Sequence, residues 1–288
     1  MGAFKAIRNG SGTTFRKARI MVFLYIVNLG FALVVAVPIL ALIQAELGYS
    51  LLGISVRPVE LMWIGEAVLK HQESLAAIGA GVLGAGLAYV ILQIFLSGGI
   101  VGRVLDREGA AGLGAFTGDS GRYFGRFVRV FLISVVFVAL TLGLIMKLVS
   151  ALFEPLSKAA ITEWVPLILS NVHFLLALLL LSIVHMIIDY TRIAVVADQE
   201  RRVFKALRHA LTFLRTRFFR AWSIYLLIVA ATVAGSIVFY IVLGRLAAPT
   251  VVTIIAALVW MQAYLFFRTW IRTLFVAAQA EYYRAHPY

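Results

Sequence analysis

Apolar residues along this chain gather into long runs separated by short basic stretches, instead of recurring every third or fourth position as on a helix half-buried in water. Each run is roughly 20 to 28 residues, enough for a helix to cross about 30 Å of hydrocarbon. Six spans are expected, near Arg19 to Gln44, Leu75 to Val104, Phe127 to Val149, Leu167 to Val196, Phe219 to Gly244 and Val251 to Arg268. Inside lipid only helices and closed barrels satisfy every backbone group, so the pattern predicts an all-α, polytopic transmembrane bundle in a single membrane domain, 1–288. Lys5, Arg8, Arg16, Lys17 and Arg19 precede the first run. That run is too long for the apolar region of a cleaved signal and reads as a signal anchor.

The segments between spans carry a different period. From Gln199 to Arg217, Val203, Leu207, Leu211, Leu214 and Phe218 fall on one helical face. Arg201, Arg202, Lys205, Arg208 and Arg215 lie mostly off it. A helix of this kind lies in the headgroup layer with its apolar side down, which makes these five residues and Arg217 candidate contacts to anionic lipid. The same pattern also serves a plain connector that anchors span ends. A second amphipathic stripe, Val59, Met62, Trp63, Glu66 and Leu69, follows Pro58 in the first outer loop. It is expected to lie on the outer membrane surface, with a lid as the other reading.

The basic segments repeat. Phe4-Lys5-Ala6-Ile7-Arg8 returns as Phe204-Lys205-Ala206-Leu207-Arg208, each ahead of more basic residues and a span. A looser third copy sets Asp106-Arg107-Glu108 against Asp198-Gln199-Glu200, and Arg122, Arg126 and Arg129 against Arg215, Arg217 and Arg220. The expected unit is a basic amphipathic helix plus a helical hairpin, used three times over roughly 1–102, 103–197 and 198–288.

Composition agrees with this picture, since 62% of residues are hydrophobic and only 14% charged, too apolar for a soluble domain. The net charge of +13 would point a soluble protein toward nucleic acid. Here the cations border apolar runs, so anionic headgroups are the nearer counter-charge and no nucleic-acid partner is expected. Placing the lysine- and arginine-rich segments inside puts both termini in the cytoplasm, with Glu46, Glu60, Glu66, Glu73, Glu154 and Glu163 in outer loops. A bacterial inner membrane is the expected location. There is no cysteine, which excludes disulfides and thiolate chemistry.

Candidate chemistry is sparse. Gly79-Ala80-Gly81-Val82-Leu83-Gly84 matches a dinucleotide-binding pattern, but it sits inside an apolar run with no strand before it. Ala76, Ala80, Gly84 and Ala88, and separately Gly98 and Gly102, are expected instead to let helices approach closely. His185 and Asp189 stand one turn apart in the fourth span and form a candidate polar pair, able to relay a proton or bind a cation. The other reading pairs Asp189 with Arg192 at the interface. Asn28, Gln93 and Gln262 are lone amides suited to bonds between helices. His173, His209 and His286 are isolated. No nucleophile beside a base, metal-ligand cluster or phosphate loop is visible, so no enzyme, metal or cofactor is expected.

Asp189-Tyr190-Thr191-Arg192-Ile193, Val195-Val196-Ala197-Asp198 and Phe204-Lys205-Ala206-Leu207-Arg208 carry a resemblance. Through them, mainly in its second half, the chain resembles uncharacterised bacterial six-span integral membrane proteins. It is also distantly similar to the membrane domain fused to some glycerophosphodiester phosphodiesterases. The resemblance implies architecture and a membrane-accessory role; the phosphodiesterase chemistry belongs to a separate soluble barrel. The functional expectation is a non-enzymatic scaffold or lipid-interacting component, which would meet membrane lipids and a protein partner. The alternative is a small-molecule or ion permease with a polar path through His185 and Asp189.

Overall fold

The computed structural model describes residues 1–47, 72–106, 112–160, 162, 164–246 and 250–286. Among them the regular elements are all helical: α1 (Ala3–Arg16), α2 (Ala18–Leu47), α3 (Gln72–Leu105), α4 (Leu113–Leu140), a π-helical turn (Thr141–Ile145), α5 (Met146–Lys158), α6 (Trp164–Ala197), α7 (Val203–Arg245) and α8 (Val251–Arg284). Among the described residues six segments are long and apolar enough to cross a membrane: Ala18–Val37, Gly79–Leu105, Leu113–Lys158, Trp164–Ala197, Val203–Arg245 and Val251–Arg284. The chain is a multi-pass helical membrane protein. The stripe expected after Pro58, and Arg107 and Glu108 of the looser repeat, lie outside the described residues.

The basic segment and the fifth span meet in α7, where Arg217, with non-helical φ −136° and ψ 21°, divides them into two helices joined at a kink, at the point where the sequence pattern ends the basic helix. The last helix outruns the apolar run that predicts it: α8 continues well past Arg268. Hydropathy reports where lipid begins and ends, whereas a helix continues as long as another helix covers its flank. At its start α8 carries a capping box, Thr250 Oγ1 accepting from the Thr253 amide at 3.2 Å and Thr253 Oγ1 from the Thr250 amide at 3.1 Å.

The chain forms two compact units, 1–21 with 94–288, and 22–93. In the larger unit the buried core lies where the second half of α3 meets the ends of α6 and α8, through Ile100, Val101, Val104, Ile193, Ala194, Val195, Leu274, Ala277 and Ala278. Toward the opposite ends of the helices, side chains such as Leu132, Val136, Leu175, Ile241, Val252 and Leu258 are exposed. Lipid tails are the natural solvent for such a surface. In the smaller unit Asn28 joins α2 to α3: its Oδ1 accepts from Gln93 Nε2 at 2.8 Å and from Tyr89 Oη at 3.0 Å. These two amides therefore have the helix-bridging role expected of them.

Small residues set the closest approaches. On α1, Ala6, Gly10 and Thr14 are buried on one stripe. A Cβ built on Gly10 would stand 2.7 Å from the Ala278 backbone nitrogen, so α1 lies almost backbone to backbone on α8. On α3, Gly98 comes close to the Ser120 backbone of α4, while Gly99 and Gly102 make room for the side chains of Ser120, Phe116 and Asp119. Gly79, Gly81, Gly84 and Gly86 have nothing within 4 Å, and Ala80 and Ala88 are exposed, so the close packing expected there is not made among the described residues.

The two strong copies of the basic motif present matching faces. Ala6 and Ala206 are fully buried, as are Gly10 and Ala210, while Phe4 and Phe204 are 79% and 76% exposed. Each copy ends at a cation holding main-chain carbonyls near a helix end. Lys17, at the break between α1 and α2, donates to the carbonyl of Arg103 and, at 2.5 Å, to that of Asp106, covering the exposed acceptors of α3. Arg217 Nη1 donates to the carbonyl of His286 at 2.8 Å.

Candidate functional site

Two cavities flank the buried core of the larger unit, both lined from α3, α6 and α8. One, of about 250 Å³, takes Ser97, Ile100 and Val101 from α3, Asp189, Arg192 and Ile193 from α6, and Ile271, Arg272, Phe275, Val276 and Gln279 from α8. Further along the same three helices, and adding α4, a cavity of about 590 Å³ includes Arg103, Asp106, Asp119, Arg122, Asp198, Tyr283 and Arg284.

In the smaller cavity Asp189 and Arg192 sit one turn apart, because Tyr190, Thr191, Ile193, Ala194 and Val195 are committed to the core. Arg192 Nη1 reaches Asp189 Oδ1 at 3.4 Å. From α8, Arg272 Nη2 donates to Ser97 Oγ at 3.4 Å. Gln279 is fully buried, with its side-chain amide against the Asp189 carboxylate.

The larger cavity is a charge network. Arg103 binds Asp119 Oδ2 through Nη2 at 2.6 Å and Nε at 2.7 Å, and Asp106 through Nη1 at 2.9 Å. Asp198 Oδ2 accepts from Tyr283 Oη at 3.0 Å and from His209 Nδ1 at 3.2 Å, so His209 has a partner across the connector between α6 and α7. Guanidinium groups of Arg122 and Arg126 lie over the Tyr123 ring at 5.5 and 5.4 Å. Burial, followed by the nearby Arg103 charge, pulls the Lys17 ammonium below the ordinary lysine range.

The candidate pair is redistributed. His185 is exposed and its Nδ1–H donates to the Leu181 carbonyl at 2.9 Å; Asp189 takes Arg192 as its partner. A shared helical face brought the two residues near each other, but the ring is held by its own helix. Neither His185 nor the half-buried Gln262 lines either cavity. Arg272 and Gln279 were missed because hydropathy ends the last span at Arg268. The signal available was a lone glutamine within Ala277-Ala278-Gln279-Ala280.

Among the candidate lipid contacts, Arg201, Arg202, Lys205, Arg208 and Arg215 are exposed. Arg217 is half-buried, and its Nη1 donates to the His286 carbonyl at the kink. Lys205 also binds Glu200 at 2.8 Å. This bond, with the Arg202 and Arg201 amides donating to the same carboxylate, holds Glu200 below the usual carboxylate range. A lowered carboxylate supports folding above the ordinary value of 4.5 and loses that support as pH falls through its lowered one. Acidification through that window should lower the amide protection factors, taken relative to intrinsic exchange at each pH, at the start of α7, and E200Q should show the low protection at every pH.

Comparison with family models, with curated proteins and with solved structures finds no match for this chain.

Proposed function

We propose that this chain is a non-enzymatic multi-pass protein of a bacterial inner membrane, with both termini cytoplasmic, whose basic helices engage anionic lipid on the inner leaflet. One observation carries the reading. Exposed cations Lys5, Arg8 and Arg16 line α1, Arg201 and Arg202 directly precede α7, and Lys205, Arg208 and Arg215 follow on its start; neither helix contains a carboxylate, although Glu200 ahead of α7 pairs with Lys205. Beside them Phe4 and Phe204 stand out from the protein, as aromatic side chains do on helices lying in a headgroup layer. The positive-inside tendency places these segments in the cytoplasm. Three units of basic helix plus hairpin, and kinship with six-span accessory membrane domains, belong to the same reading.

The test uses nanodiscs of phosphatidylcholine with and without phosphatidylglycerol. The wild-type protein is expected to unfold at higher temperature in the anionic discs, at about 1 kcal/mol per engaged cation. Changing Arg201, Arg202, Lys205, Arg208 and Arg215 together to glutamine should remove most of that gain. Equal stability of the wild-type protein in both lipids would defeat the reading. A permease is the second reading, favoured by the cavity holding Asp189 along three helices. Its path leaves out His185, and an unchanged proton-dependent flux in D189N proteoliposomes would remove Asp189 as well.

A further inference from the structure

The structure assigns the cavity between α5 and α6, at the other end of the helices from the buried core, as a seat for a zwitterionic phospholipid headgroup with a primary amine, of the phosphatidylethanolamine type. This goes beyond the lipid reading above, which concerns anionic lipid at α1 and the start of α7.

Two polar stripes line this cavity. On α5, Ser150, Glu154 and Lys158 follow at four-residue steps; on α6, Pro166, Ser170, His173 and Ala177 follow at three- and four-residue steps. Each set therefore lies on one helical face. They bound a space of about 640 Å³, within the usual range of small-ligand pockets. The neighbouring faces are apolar and exposed, with Leu152, Leu156, Trp164 and Leu167 all turned outward. Polar side chains set among lipid-facing leucines are costly unless a polar group meets them. Among the described residues the hydroxyls of Ser157 and Ser170 and the ring nitrogens of His173 take no hydrogen-bond partner. The His173 ring is held edge-on to Phe153 at 6.3 Å, which leaves its nitrogens available.

Charge selects the headgroup. Among the described lining residues Glu154 and Lys158 carry the charge, one of each sign, so the cavity matches a ligand with both signs. They bind each other at 2.6 Å with side chains 62% and 75% exposed. An exposed pair at this spacing contributes little, so a ligand that offers each member a counter-charge competes with it. A primary ammonium donates N–H bonds to the Glu154 carboxylate while its phosphate accepts from Lys158. A quaternary ammonium has no such donor.

Depth selects a lipid over a soluble zwitterion. Lys158 closes α5, whereas Ser170 and His173 stand roughly 9 and 14 Å into α6 from its start at Trp164. A headgroup at the mouth sets its glycerol ester carbonyls near that depth, where Ser170 and His173 donate. The acyl chains then run along Leu169, Phe174 and Ala177.

The purified full chain in nonionic detergent is titrated with dihexanoyl phosphatidylethanolamine, phosphatidylcholine and phosphatidylglycerol, with binding read by phosphorus NMR linewidth and by the unfolding midpoint. Phosphatidylethanolamine is expected to bind saturably and at least about fivefold tighter than either competitor, because they lack the ammonium donors to Glu154. Glu154 is exposed, so E154Q should fold normally, lower phosphatidylethanolamine to the phosphatidylcholine level and leave phosphatidylcholine unchanged. H173F should weaken both lipids alike. No saturable binding of phosphatidylethanolamine, equal or tighter binding of either competitor, or an E154Q chain that keeps the preference would overturn the proposal. So would a spontaneous disulfide between two S170C chains, which would assign the groove to contact between copies; the sequence has no other cysteine. The five-fold glutamine variant should keep the phosphatidylethanolamine preference, so failure of the anionic-lipid reading is distinguishable.

Discussion

Gly10→Leu is expected to lower the unfolding midpoint of the detergent-solubilised protein by about 5–10 °C, the counterpart of roughly 2–3 kcal/mol for a chain of this size. A Cβ at this position would stand 2.7 Å from the Ala278 nitrogen, 2.9 Å from its Cα and 3.1 Å from the Ala277 carbonyl carbon. All three are main-chain atoms of α8, so no rotamer change relieves the clash and α1 must lift. Ala6 and Thr14, buried on the same stripe, would lose their contacts together. Gly12, two residues on, has nothing within 4 Å, and Gly12→Ala is expected to raise stability slightly, by up to about 1 kcal/mol of helix propensity. Loss of stability at Gly12, or none at Gly10, would mean that this docking does not hold the fold.

Lys17→Met should cost about 1–3 kcal/mol, because the carbonyls of Arg103 and Asp106 lose their donor while Met preserves the bulk of the side chain. Its sharper signature lies in pH dependence. The folded-state pKa of Lys17 is lowered from 10.5. Below that lowered value the side chain is charged in both folded and unfolded chains, and its buried charge weighs on the fold throughout. As pH climbs from there toward 10.5, the folded protein releases the proton first, so stability rises across this window. A neutral amine still has N–H groups for both carbonyls, so the gain is not cancelled. Denaturant midpoints measured across alkaline pH should show a wild-type rise that K17M lacks; parallel curves would exclude Lys17 as its source.

Spans were legible because lipid thickness fixes the length of an apolar run, and the basic motif was legible because Phe4 to Arg8 and Phe204 to Arg208 share their order. What packs against what was harder to read. Gly84 and Gly98 look alike in sequence, both glycines in apolar runs, yet among the described residues Gly98 meets a neighbouring helix and Gly84 does not. That difference depends on α4 passing beside α3. Helical spacing placed His185 and Asp189 on one face, but Leu181 offered the ring a closer acceptor and Arg192 offered the carboxylate a cation. Arg272 was visible only as a basic residue beyond the last span, until the continuation of α8 brought it beside Ser97.

The seating of α1 on α8 has a consequence for biosynthesis. Gly10 leaves the ribosome long before Ala278, whose backbone receives it. At about 5–20 residues per second, the leading arm waits roughly ten seconds to a minute for its seat to be translated. Throughout that interval its bare Ala6-Gly10-Thr14 edge and exposed Phe4 have only the nascent chain, the insertion machinery or the bilayer to rest upon.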